Sequence, residues 1–207
     1  MQISNTIYDI INSEVFKNQL TKINSNYSNL KQEGLIRNAI LEQFNDLCTN
    51  ENLRAFAEHP RVNNTRVDLS IVNRAHLSVP YKIEFKHHFS NHDKCFVNYG
   101  KRIQKEFIDR DSNMFILVVQ TLDSSAKQNF DDSWGISTNI AKYQSKDGEW
   151  IKNLSTCFDK FLNDSDKTEL LEIVTIDVTI PYPSKYHFYI LKKIDFFLNK
   201  IITYTIQ

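Results

Sequence analysis

Glycine is scarce in this chain. Among 207 residues there are four, Gly34, Gly100, Gly135 and Gly148, and no two fall close enough for a GxGxxG or P-loop pattern. Dinucleotide and Walker-type nucleotide sites of the usual kind are therefore excluded. Cysteine is equally sparse. Cys48, Cys95 and Cys157 lie far apart with no CxxC, so neither a disulfide scaffold nor a cysteine zinc centre is expected, and a reducing cytoplasm fits. The longest strictly apolar run is the six residues Met114–Val119, far short of a membrane span. The opening MQISNTIYDII lacks a basic n-region and a long apolar stretch, so no signal peptide and no membrane partner are expected. Neither sign of charge dominates, with 25 Lys and Arg against 25 Asp and Glu. Any nucleic-acid site must therefore be a local patch. No Gly-x-Ser-x-Gly elbow or Cys/His pairing stands out, so acyl-transfer chemistry has no support.

What is present suits one domain over residues 1–207 with a real core. Residues 1–30 predict one or two helices, with Ile3, Ile7, Ile10, Ile11 and Val15 at helical spacing. Asn24–Asn29 reads as a loop. A stronger helix is expected from Leu30 to Leu47, its apolar stripe formed by Ile36, Ile40, Phe44 and Leu47. Glu33 lies at the edge of that stripe, and Glu42 faces water. Three strand candidates follow. Leu53–His59 is short and closed by Pro60. Arg66–Val72 alternates, with Val67, Leu69 and Ile71 on one face and Arg66, Asp68 and Ser70 on the other. Val79–His88 alternates too: Tyr81, Ile83, Phe85 and His87 oppose Lys82, Glu84, Lys86 and His88. The short connection between the last two predicts an antiparallel hairpin.

Asp93 can cap a helix running to Ile108, with Phe96, Tyr99, Ile103 and Phe107 inward and Lys94, Asn98, Lys101 and Lys105 outward beside Arg102. Met114–Leu122 reads as a buried strand flanked by helices. Beyond Asp123 the pattern predicts a helix over Trp150–Leu162 and strands over Leu170–Ile180 and Tyr186–Ile194, while Asp195–Ile202 is ambiguous. Asp123-Ser124-Ser125 reads as loop. The expected fold is α/β (α+β), a central mixed β-sheet flanked by helices.

The sharpest feature is Asp68, followed sixteen residues later by Glu84-Phe85-Lys86, the one [DE]-x-K tripeptide in the chain. On paired strands of a hairpin, Asp68 and Glu84 share one face. Two close carboxylates repel unless a cation lies between them. Mg²⁺ suits such a pair, because it takes few protein carboxylates and accepts phosphate oxygens as further ligands. Lys86 emerges on the same face, where an ammonium can orient a water and stabilise charge on a phosphate. Residues 82–105 hold six Lys or Arg against two acids. Lys82, Lys94, Lys101, Arg102 and Lys105, with His88, are the candidate nucleic-acid contacts.

In these residues, and in the order helix, three strands, helix, buried strand over 30–122, the chain resembles the PD-(D/E)XK nuclease superfamily, the restriction-endonuclease-like fold. The resemblance implies a nuclease core at about 30–122, with an N-terminal helical segment 1–29 and a C-terminal α+β extension 123–207. It implies that Asp68 and Glu84 bind Mg²⁺, with Mn²⁺ as a substitute, and that the backbone carbonyl of Phe85 is a further ligand. It implies that Lys86 serves the nucleophilic water and that Glu33 on the first helix completes the site. Val67 stands where the motif's name has proline. The implied activity is endonucleolytic cleavage of DNA, in restriction or another defence role; one site per chain cuts one strand, so a homodimer is expected.

Other readings of the same residues remain open. Asp68, Glu84 and Lys86 could form an ion-pair ladder on an exposed sheet face. The fold could serve as a non-catalytic binding or inhibitor module, or the nuclease could act on RNA or single strands. His88 and His92, four apart, have zinc-ligand spacing on a helix but straddle a strand end.

Overall fold

The computed structural model describes residues 3–194 apart from 60, 63, 64, 146, 147, 166 and 167, with the backbone alone at 61, 62, 65 and 92–94. The ambiguous Asp195–Ile202 segment lies outside the described residues. Three helices open the chain: α1 (Ile3–Asn12), α2 (Glu14–Asn26) and α3 (Glu33–Leu47). Ser13 separates the first two and caps α2, its hydroxyl accepting the Phe16 N–H at 3.1 Å. That break resets the helical phase. Val15 does not extend the α1 stripe but is 61% exposed, and Phe16 and Leu20 are buried in its place. Leu47, the last residue of α3, is also exposed. The buried place before it belongs to Gln43, which bonds Ser13 and Gln19. The expected loop at Asn24–Asn29 begins later, because α2 continues through a buried Asn24 whose amide donates to the Ile180 carbonyl at 2.9 Å.

The strands are β1 (Leu53–Ala57), β2 (Arg61–Val62), β3 (Thr65–Arg66), β4 (Leu69–Asn73), β5 (Tyr81–Phe89), β6 (Met114–Leu122), β7 (Thr168–Val178) and β8 (Ser184–Lys193). Six form one mixed sheet in the order β1-β4-β5-β6-β8-β7, and β2 and β3 make a separate small hairpin. The β5–β6 pairing is parallel; the other pairings of the main sheet are antiparallel. The expected continuous strand over Arg66–Val72 is interrupted. Arg66 pairs with Arg61, the chain bends at Asp68, and Leu69 begins a new pairing with Ile83. The bend is held from both sides, since the Asp68 carbonyl accepts the Glu58 N–H and its carboxylate accepts the Phe85 N–H.

A parallel pair needs a crossover, supplied by residues 90–113. The single helix expected over Asp93–Ile108 is there broken into α4 (Asp93–Phe96), α5 (Tyr99–Ile103) and a π turn (Gln104–Ile108). The Gly100 N–H, which an unbroken helix would give to the residue 96 carbonyl, donates instead to Cys157 Sγ at 2.9 Å. Phe96, Tyr99, Ile103 and Phe107 nevertheless all stay buried, as their spacing predicts.

Asp123 caps α6 (Ser124–Ser133), accepting the Ala126 N–H at 2.8 Å. The Asp-Ser-Ser loop reading is therefore corrected to a helix start. Helix α7 (Trp150–Asn163) matches its expected span within a residue. Strands β7 and β8, in the region expected as an extension, join the same sheet through the β6–β8 ladder.

The sheet is covered on both faces. Along β6, Met114, Ile116 and Val118 enter one core with Ile36, Ile40 and Phe44. Phe115, Leu117 and Val119 enter the other with Phe96, Phe107, Leu154 and Phe158. A strand buried on both faces reads as a near-continuous apolar run, here Met114–Val119, and the buried Gln120 beyond it is satisfied by His87 and Asn24. The fold is α/β, a mixed sheet between helices. Among the described residues no helix is long and apolar enough to cross a membrane.

Candidate active site

The site lies where the β4–β5 ladder ends. Beyond the last pair, Leu69 with Ile83, one further step sets Asp68 against Glu84. Asp68 Oδ2 accepts the Phe85 N–H at 2.8 Å. The N–H and C=O of a strand residue point to the same side, so the Phe85 carbonyl also opens toward Asp68. Two residues on, the His87 N–H points the same way and donates to Glu33 Oε2 at 2.9 Å. Glu33 is the first residue of α3. The start of that helix is thus tied to the strand bearing the tripeptide.

Lys86 stands among these acids. Its Nζ lies 3.5 Å from Asp68 Oδ2, 3.9 Å from Glu33 Oε1 and 3.2 Å from Glu106 Oε2. Burial pulls the ammonium toward a lower pKa, but the carboxylates of Asp68, Glu33 and Glu106 outweigh it and raise the pKa above the ordinary lysine value. Glu84 is fully buried. Arg110 Nη1 donates to its Oε2 at 3.0 Å, and Ser112 Oγ lies 3.5 Å from its Oε1. Burial first, and then the charge of Asp68, push the Glu84 pKa up to about 7, with Arg110 pulling it back.

Asp68, Glu84, Lys86 and Glu33 are therefore brought together. The candidate nucleic-acid contacts divide. Lys101, Arg102 and Lys105 are exposed and line a shallow groove with Cys95 and Asn98. Lys82 is partly buried and donates to the Arg110 carbonyl at 3.1 Å, so it holds the 109–113 loop. His88 is buried, with Nε2 3.0 Å from Tyr99 Oη and 3.4 Å from Arg102 Nη1. Its face of β5 is covered by Phe96 and Tyr99, and the expected open phosphate contact is corrected on that ground. The side chains of Lys94 and His92 lie outside the described residues.

Three members of the site were missed by sequence reasoning. Glu106 sits on the π turn, where a straight helix gave no reason to look; its one sequence signal is the i, i+4 spacing to Arg102, whose Nε lies 3.6 Å away. Arg110 and Ser112 follow in a loop with no pattern. Beneath the site runs a buried polar chain. His87 Nε2 lies 3.2 Å from Gln120 Oε1, Gln120 donates to Asn24, and the Tyr186 hydroxyl reaches both Asn24 and Gln32 at 2.7 Å. Gln32 precedes Glu33, so this chain fixes the start of α3 to the sheet.

Among the described residues no three His, Cys, Asp or Glu side chains form a metal cage. The donors available are the Asp68 and Glu84 carboxylates, hard oxygens of the kind Mg²⁺ takes one or two at a time. A cation beside them would favour the ionised form that burial of Glu84 disfavours, so the donor set fits the ion. Comparison with protein-family models, curated proteins and solved structures finds no match.

Proposed function

We propose that the chain is a metal-dependent endonuclease that hydrolyses phosphodiester bonds in DNA. The observation that carries the reading is the Lys86 ammonium 3.5 Å from Asp68, two strand positions from a buried Glu84 whose carboxyl is pushed up to about 7. Perturbed titratable groups cluster at functional sites, although structural ion-pair networks perturb them too. Asp68 and Glu84 would hold Mg²⁺ or Mn²⁺, with the Phe85 carbonyl as a further oxygen donor. When bound, such an ion makes coordinated water more acidic and neutralises charge on the phosphate. Lys86 would orient the attacking water by donating to it. Glu33, anchored to the His87 N–H, would fix the far side of the ammonium. Lys101, Arg102 and Lys105 would take backbone phosphates.

The restriction-endonuclease-like core belongs to this reading. Its support is the order α3, β1, β4, β5, crossover helices, β6, with β6 parallel to β5. One site per chain cuts one strand, so a double-strand break would call for a homodimer. A cytoplasmic defence role would follow from the same resemblance.

A second reading has its own observation. Each acid of the site already has a protein cation within 4 Å, Arg110 for Glu84 and Lys86 for Asp68, Glu33 and Glu106. That is also how a non-catalytic binding module would hold the fold. Incubating the pure protein with plasmid, linear and single-stranded DNA and with RNA, in Mg²⁺, Mn²⁺ or EDTA, decides between them. Cleavage that EDTA stops, and that Asp68→Asn abolishes, supports the nuclease. No cleavage of any substrate in either metal overturns it.

A further inference from the structure

The carboxylate nearest to Lys86 is one that the nuclease reading leaves without a role. Glu106 Oε2 lies 3.2 Å from Nζ, closer than Asp68 or Glu33. The Glu106 side chain is 18% exposed, and Oε2 itself is buried from solvent. Its other oxygen faces Arg102. Glu106 is carried on a π turn whose i to i+5 bond runs from the Asp109 N–H to the Gln104 carbonyl at 2.9 Å. Single π turns recur at functional sites, because one added residue re-aims a side chain without unwinding the helix. Here Phe107 stays in the core while Glu106 meets β5.

Asp68 cannot serve two cations equally. A divalent ion that takes Asp68 and Glu84 competes with Lys86 for the Asp68 charge and repels the ammonium as well. Glu106 already faces the two cations Lys86 and Arg102, which suits a counter-ion better than a metal donor. We propose that Glu106 is the positioning residue that keeps the Lys86 ammonium aimed at the site when Asp68 is engaged by a divalent cation. This rests on the nuclease reading. It adds a division of labour: Asp68 and Glu84 for the ion, Glu106 for the lysine.

The test uses the full chain, its Glu106→Gln and Glu106→Asp variants, and two readouts. One is the side-chain ammonium resonance of ¹⁵N-labelled Lys86, assigned with Lys86→Arg and recorded with and without Mg²⁺. A held ammonium exchanges slowly enough to be seen, and a loose one does not. The other is steady-state cleavage of plasmid DNA. The wild type should keep the signal in Mg²⁺, and Glu106→Gln should lose it. That variant's kcat should fall about 10- to 100-fold, the scale of a misplaced catalytic group, with KM changed by less than about twofold. Glu106→Asp, which keeps the charge on a shorter arm, should recover part of both. A Lys86 signal that persists in Glu106→Gln with Mg²⁺, or a Glu106→Gln kcat equal to wild type, overturns the assignment. Failure of the underlying reading looks different. A wild type that cuts no DNA while its ammonium signal depends on Glu106 removes the nuclease and leaves the anchor standing. Should Glu106→Gln fail to fold, Glu106→Asp alone decides, since a weakened signal supports the anchor and an unchanged one overturns it.

Discussion

The guanidinium of Arg110 lies 3.0 Å from the carboxylate of Glu84, a side chain with no exposure to solvent. Even with that partner the Glu84 pKa is pushed up to about 7, because burial and the neighbouring Asp68 both oppose its charge. Arg110 favours the ionised carboxylate but offsets only part of what burial and Asp68 cost it. The consequences can be measured.

Glu84 should make the metal-free fold less stable as pH rises. Its folded pKa, about 7, lies above its ordinary value of 4.5. Its contribution is therefore fully present below the unfolded pKa and is lost as pH rises through the folded one. Between pH 5 and 8 in EDTA, the melting temperature of Glu84→Gln should gain on the wild type by several degrees, corresponding to roughly 2 kcal/mol. A difference between the two proteins that stays flat across this range would show that Glu84 is ionised throughout.

Asp68 should couple metal to stability. Ligands that bind only the folded state raise its melting temperature. Titrating Mg²⁺ or Mn²⁺ should raise that of the wild type and leave Asp68→Asn unmoved, while Asp68→Asn also loses cleavage. If both proteins respond equally, the ion binds elsewhere.

Glu33 and Glu42 share a helix but should not share a role. Glu33 contacts Lys86 and accepts the His87 N–H, whereas Glu42 is exposed beside Gln19. Glu33→Gln should lower kcat about tenfold or more, the loss typical of a positioning group, and Glu42→Gln should not. Equal activity in the two variants would remove Glu33 from the site.

The exposed cations of the crossover should govern salt dependence. Every phosphate that a protein cation neutralises adds roughly 0.9 to the steepness of log K against log salt on duplex DNA. Exchanging Lys101 and Lys105 for Glu should therefore weaken DNA binding and flatten that slope by roughly 1.8. Binding measured by anisotropy at several salt concentrations reads both quantities. An unchanged slope would mark these lysines as solvated surface.

Much of this architecture was legible before any coordinates. The nine-residue strand β6 was visible in full, since burial on both faces makes Met114–Val119 a continuous apolar run. The alternation of β5 placed Lys86 and Glu84 on one face, and the stripe Ile36, Ile40, Phe44 set Glu33 at its edge. Local periodicity could not show that Asp68 sits in a bend and not in a strand. The partners holding that bend, Glu58 and Phe85, are ten residues before it and seventeen after it.

The sequence by itself determined the elements whose burial is periodic: the amphipathic helices, the paired strands and the carboxylate–lysine tripeptide on one of them. These follow from side-chain spacing along a single segment, and they need no knowledge of what lies opposite. The tertiary structure decided which further charges join that tripeptide, Glu106 beside Lys86 and Arg110 beside Glu84. The Gly100 N–H donates to the Cys157 sulfur 57 positions away where the crossover helix is interrupted, and the π turn that follows sets Glu106 beside Lys86. His88, polar and on the expected outer face, is buried because Phe96 and Tyr99 cover it. Hydrogen bonds and ion pairs act over about 3–4 Å in space, so those made between distant segments leave no mark in the periodicity of either one.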